Sequence, residues 1–104
     1  SMRYRVILSP NAEADIVEAE DYIARDSVTH ALRWRDGLYE AITSLNEMPS
    51  RCAYARENET FQMEVRQLVY KSHRVIFSVR GDEVHVHRVV HTARENLDSP
   101  DELF

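Results

Sequence analysis

Apolar and polar residues change their period several times along this chain, and each change marks an element. Over residues 3–8, Tyr4, Val6 and Leu8 alternate with Arg3, Arg5 and Ile7, which predicts a short strand rich in β-branched and aromatic side chains. Ser9 can accept a hydrogen bond from an orphan backbone N–H, and Pro10 suits the first helical position, where a missing donor costs nothing, so a helix should begin here. Acids crowd its start, where the positive end of the dipole favours them. Ala12, Ile16, Ala19 and Ile23, with Tyr22 beside them, recur at spacings of three and four and form one apolar stripe. Asp26 and Ser27 interrupt it and offer a second cap. Ala31, Trp34, Leu38, Ala41, Ile42 and Leu45 then form a stronger stripe, which should stop near Met48 because Pro49 disfavours helical geometry in the residue before it. Two helices joined by so few residues should pack as an antiparallel hairpin.

Residues 49–62 are polar and without period, and connections this long are commonly functional. Three runs dense in Val, Ile, Phe and Tyr follow at residues 65–70, 74–79 and 84–90, separated by segments that suit tight hairpins. The predicted order is β-α-α-β-β-β. The fold class is α+β, with a helical hairpin on one face of a mainly antiparallel four-stranded sheet and the other face left uncovered. Residues 98–104 form an acidic tail ending in Leu103 and Phe104, which alone would fray but could dock.

Composition narrows the class. With 104 residues, 43% hydrophobic and 30% charged, one domain over residues 2–104 is expected, and Ser1 before Met2 resembles the scar of a cleaved tag. No stretch approaches the length of a signal core or a membrane span, and the lone Cys52 suits a reducing compartment, so a cytoplasmic protein is expected. Arg51 adjoins Cys52, but a structural thiol is the favoured reading over a catalytic one. The net charge of −5 argues against a protein that simply coats nucleic acid. That charge is unevenly spread: residues 9–48 carry a net of −6, and residues 65–94 carry +4 before any histidine protonates. The basic half could meet an anionic partner, or the two halves could be differently solvated faces.

Several residues are candidates for chemistry. A metal-free ribonuclease needs a base, an acid and cationic clamps converging on one phosphate, and Arg66, His91 and Arg94, joined by Glu57 or Glu59, could supply them. The alternative for Arg66 is an ion pair with Asp15 or Glu64, and for His91 a bond to a backbone carbonyl. His85, His87 and His91 alternate and would share one strand face, but with no fixed fourth ligand they define no zinc site. No metal or cofactor is expected. Val69, Phe77 and Val79 would partly line a groove on the sheet, or else belong to the core.

The order of elements and the residues in them resemble the RelE/ParE toxin superfamily over about residues 4 to 94. The segment Val6-Ile7-Leu8-Ser9-Pro10 with Ala12 and Asp15 is similar to the family's first strand and helix start. Tyr22-Ile23, then Ala31, Trp34, Leu38, Ile42 and Leu45-Asn46-Glu47-Met48-Pro49, resemble its helical hairpin. Val65-Arg66-Gln67-Leu68-Val69-Tyr70, His73-Arg74-Val75-Ile76-Phe77, and Val84, Val86, Val89 and His91 with Arg94 resemble its last three strands and trailing His-x-x-Arg, with His73 and Phe77 standing where tyrosine is usual. Some members of this superfamily cut messenger RNA on the ribosome, and ParE-like members poison DNA gyrase. With one lysine, Lys71, and an acidic balance, the chain suits the ParE-like branch better. The resemblance then implies a non-enzymatic toxin that inhibits DNA gyrase, is neutralised by a co-encoded antitoxin, and assembles with it into a hetero-oligomer. The alternative is a ribosome-dependent mRNA interferase using Arg66, His91 and Arg94, with the ribosome and mRNA as partners, and a third reading is a degenerate relative that only binds a partner. Under the leading reading there is no catalytic residue, Lys71, Arg74, Arg88 and Arg94 are expected to meet the target, and Val69, Phe77 and Val79 the antitoxin. The tail should contribute to target binding, so that truncation after Asn96 removes toxicity and leaves the fold intact.

Overall fold

A computed structural model describes residues 2–94 and 96–103; Ser1 and Phe104, for which a tag scar and a tail terminus were expected, lie outside the described residues. β1 (Arg5–Leu8) leads into α1 (Pro10–Ala24) and α2 (Val28–Thr43), followed by a short α3 (Asn58–Phe61) and the strands β2 (Arg66–Tyr70), β3 (His73–Arg80) and β4 (Glu83–His91). The Ser9 hydroxyl accepts from Ala12 N–H at 3.0 Å and donates to the His87 carbonyl at 2.8 Å, so one side chain both caps α1 and ties its start to β4. Ser27 caps α2 in the same way through His30 N–H. The second helix ends at Thr43, ahead of the expected Met48, and continues as a 3-10 turn over Ser44–Asn46. Just beyond it the Arg51 guanidinium donates to the carbonyls of Glu47 at 2.6 Å and Met48 at 3.1 Å, which gives these acceptors outside the helix a partner.

The sheet has the order β1-β4-β3-β2, with β1 parallel to β4 and both hairpins antiparallel. Ala12, Ile16, Trp34, Leu38, Ile42 and Leu45 of the helical hairpin close over Val75, Phe77, Val84, Val86 and Val89. Close approach of α2 to the sheet needs Gly37: the Tyr70 hydroxyl donates to the Trp34 carbonyl at 3.1 Å, and a Cβ on Gly37 would sit 2.2 Å from that hydroxyl oxygen.

The expectation of an uncovered second face is corrected. Ala55, Phe61, Val65, Ile76, Val90, Leu97 and Leu103 form a second apolar cluster there, in which the 49–62 segment and the C-terminal segment roof part of the sheet. Inside this cluster lies a fully buried ion pair. Arg74 donates to both oxygens of Glu57, at 2.7 and 2.5 Å, and the Leu97 N–H bonds Glu57 Oε2 at 3.0 Å. Burial alone would push the Glu57 carboxyl up, but the donors from Arg74 and Leu97 more than offset it and hold the group below the usual carboxylate range. Leu97 and Leu103 are 3% and 0% exposed, so the tail is part of the fold and the expectation that it could be removed without structural cost is also corrected.

A β-bulge decides which way the histidines point. Phe77 pairs with Val86 and Ile76 with Arg88, which leaves His87 as the extra residue in β4. The insertion reverses the alternation, so Val86 and Val89 both face the helices while His87 lies on the second face against Ser78 at 2.9 Å. His85 bonds Glu83 at 3.0 Å, whereas His91 meets His73 with ring centroids 5.2 Å apart. The three histidines therefore do not share a face.

Candidate functional site

Of the nuclease set, His91 and Arg94 lie on the walls of one concavity, and Arg66 is not brought to them. Arg66 stands opposite Phe77 and His91 opposite His73, which separates them by four residues of β3, or roughly 13 Å along the strands, and by two strand spacings across the sheet. Arg66 is also engaged. It donates to the Cys52 carbonyl at 2.7 Å, lies 4.3 Å from the Tyr54 ring centroid and pairs with Glu64 at 3.6 Å, so the expected Glu64 partner is found. The buried Cys52 thiol is pushed up by desolvation against the pull of Arg51 and Arg66, which suits a packing role. Glu57, a candidate for the same set, is sealed against Arg74.

The cations expected at the target surface divide into two groups. Arg74 is 0% exposed and is withdrawn from any surface, because its partner Glu57 and the roof above it exclude solvent. Arg88 grips Asp15 with Nε and Nη2 at 2.7 and 3.0 Å and donates to the Glu102 carbonyl at 2.7 Å, so most of its hydrogen-bonding capacity is spent inside the molecule. Asp15 raises the Arg88 pKa further, and also accepts the Val89 N–H at 2.9 Å. Lys71, at the turn between β2 and β3 with φ 51°, is exposed, and among the described residues the Arg94 guanidinium is held only by a 3.4 Å contact to Glu102. The basic half of the sequence is thus largely neutralised by acids from elsewhere in the chain, and Lys71, Arg80 and Arg94 carry its exposed charge.

The expected antitoxin surface also divides. Phe77 is fully buried beneath the helices, because its β3 register places it on the covered face, and this corrects its assignment to a surface groove. Val79 is half-buried against the same core. Val69 is 58% exposed on the outer strand β2, but residues 53–55 already pair with the first half of that edge through Gln67 N–H to Ala53 and Ala55 N–H to Val65. Little of the β2 edge is left for a partner.

A concavity lies elsewhere, at the end of the sheet where β1 has stopped and β4 continues. It has a volume of about 390 Å³ and runs between α1 and the ends of β3 and β4, with Tyr22, Arg25, His91 and Arg94 among its walls. Tyr22 is 67% exposed and Arg25 stacks over it at 5.5 Å, while the His91 Nδ1 accepts the Ala93 N–H at 3.0 Å. No sequence signal marked Tyr22 or Arg25 as site residues, because their meeting with residues 89–94 is a product of α1 packing against β4.

Histidine burial has a measurable consequence. Desolvation, with Arg80 and His85 adding to it, lowers the His87 pKa from 6.5 to about 4, so the folded state favours the neutral ring. Below pH 6.5 the unfolded chain takes up a proton that the folded chain refuses. Stability present above that pH should fall by on the order of 3 kcal/mol as pH drops towards 4. His73, lowered by burial and by His91, should add to the loss in the same direction. Urea unfolding at pH 7 and pH 4.5 should show the decline, and His87→Gln should reduce it; an unchanged slope in the variant would remove His87 as its source.

No curated protein matches this chain. Its fold is similar to a chain in a solved structure of the chromosomal ParDE TA system from P. aeruginosa, with 22% sequence identity, a TM-score of 0.71, and coverage of 88% of this chain and 98% of that one. No described helix is long and apolar enough to cross a membrane. The family model for the ParE toxin of the type II toxin-antitoxin system, parDE, matches residues 6–96, and the chain belongs to that ParE toxin family.

Proposed function

We propose that this chain is the toxin of a type II pair that acts in the cytoplasm by binding DNA gyrase rather than by cutting RNA, and that a co-encoded antitoxin neutralises it. The observation that carries the choice is the separation of Arg66 from His91 and Arg94: a phosphate held at His91 cannot also be reached by Arg66 from the far end of β2. A metal-free nuclease needs those groups around a single phosphorus. What the surface offers is binding area and a few free cations, which suits a protein that works by holding a macromolecular target. Gyrase and antitoxin are drawn from the ParE family and the superfamily resemblance.

The purified protein added to gyrase and relaxed plasmid should stop supercoiling and accumulate cleaved DNA, and addition of the antitoxin should restore supercoiling. Ribosome-bound mRNA treated in parallel should remain intact. Cleaved mRNA with gyrase unaffected would overturn the reading in favour of the interferase.

A further inference from the structure

We infer that the groove between α1 and the outer edge of β4 receives a short extended segment of the antitoxin, one that carries a carboxylate beside an aliphatic side chain. The inference rests on the toxin reading above and assigns its partner a place on this chain.

The argument begins with the β4 edge. Thr92 N–H bonds the Ser72 carbonyl, so by the alternation of an antiparallel ladder Val90 points its backbone groups towards β3, while Val89 and His91 point theirs the other way. On that outer side β1 ends at Leu8, opposite Val86, and leaves the rest of β4 without a neighbouring strand. Asp15 takes the Val89 N–H, and the His91 carbonyl accepts from Arg94 N–H. The Val89 carbonyl and the His91 N–H remain without a partner among the described residues. Their spacing fits one residue of a segment opposite Val90, running parallel to β4 along the line that β1 occupies further back. Val90 lines the groove although its side chain packs into the second cluster on the far face, which shows that the groove opens onto the strand edge itself.

The walls fix the chemistry of the occupant. Ala19 and Ile23 of α1 and Val89 of β4 supply apolar contact, and the exposed Tyr22 ring extends it. Arg25 has no carboxylate partner among the described residues, and Arg94 has only a long one. His91, whose Nδ1 accepts from Ala93, carries its hydrogen on Nε2 and can donate. Of the two acids on the wall, Asp15 is already paired with Arg88, which leaves Glu18 as the opposing charge. An acidic segment is favoured over a basic one by this balance. Duplex DNA would also answer the cations, but it has no main-chain groups to meet the strand edge and no use for the apolar wall.

Hydrogen exchange on the wild-type chain with and without the antitoxin, together with affinity measurements on the Arg25→Glu/Arg94→Glu double variant, tests this. Antitoxin binding should protect the His91 amide, and the double charge reversal should weaken binding by on the order of 100-fold while leaving the melting temperature near that of the parent. Tyr22→Ala, a second exposed change, should weaken binding by a smaller factor. An unprotected His91 amide, or full affinity in the double variant, would overturn the groove assignment and leave the toxin reading standing. If the antitoxin binds neither protein, both fall. If duplex DNA protects His91 and the antitoxin does not, the groove belongs to nucleic acid instead.

Discussion

Glu57→Ala and Arg74→Ala should each destabilise the protein by about 3–5 kcal/mol, because either change leaves a full charge buried without its partner. The pair is fully buried, with a chelating geometry from Arg74 and one further donor from Leu97 N–H, so water cannot replace a lost partner cheaply. Arg74 Nε already has no hydrogen-bond partner among the described residues, so the guanidinium has little reserve. The double variant Glu57→Leu/Arg74→Met removes both charges and fills the space with apolar atoms, and it should recover most of the loss. Urea unfolding of the three variants measures the coupling directly. Single variants within about 1 kcal/mol of the parent would mean that the pair is hydrated in solution and that the roof over the second face is open.

Truncation after Asn96 should unfold or severely destabilise the chain. It removes the two buried leucines 97 and 103, each contributing about 1.5–3 kcal/mol of burial, from a domain whose whole stability is expected to be about 5–15 kcal/mol. It also strips Glu57 of the Leu97 N–H and Arg88 of the Glu102 carbonyl, leaving buried polar groups short of partners. Loss of toxicity on truncation would therefore report a lost fold and could not by itself assign target contacts to the tail. Circular dichroism of the truncated protein on heating is the check, and a cooperative melt within a few degrees of the parent would show that the tail is dispensable. Leu103→Ala is the gentler version, with an expected cost of about 2–5 kcal/mol.

Both predictions arise where sequence reasoning and tertiary structure part company. The helices were legible because their stripes have the period of a buried face and their ends carry Ser9, Pro10 and Ser27, all of them local signals. The three hairpin strands were legible from β-branched runs broken by turn residues, and Gly81 takes the positive φ that its two-residue turn requires. Charge pairing was not legible. Arg74 looks like any other strand arginine, and only the path of residues 55–61 across the second face brings Glu57 to it. The bulge at His87 was equally hidden, since one extra residue leaves the composition of β4 unchanged while it reverses the face that His91 presents.

By itself, then, the sequence determined the order and kind of the main elements, the helix-facing core around Trp34, and enough family character to name a ParE-like toxin. Those properties depend on near neighbours in the chain, where period, capping and turn chemistry act. Which arginines remain free, that Phe77 and Arg74 are internal, that the tail is a piece of the core, and that Tyr22 and Arg25 face residues 89–94 across a groove were decided only by the tertiary structure. Each of these joins residues far apart in sequence, and the energies involved, desolvation of a charge and burial of a leucine against a distant strand, exist only once the chain has closed on itself.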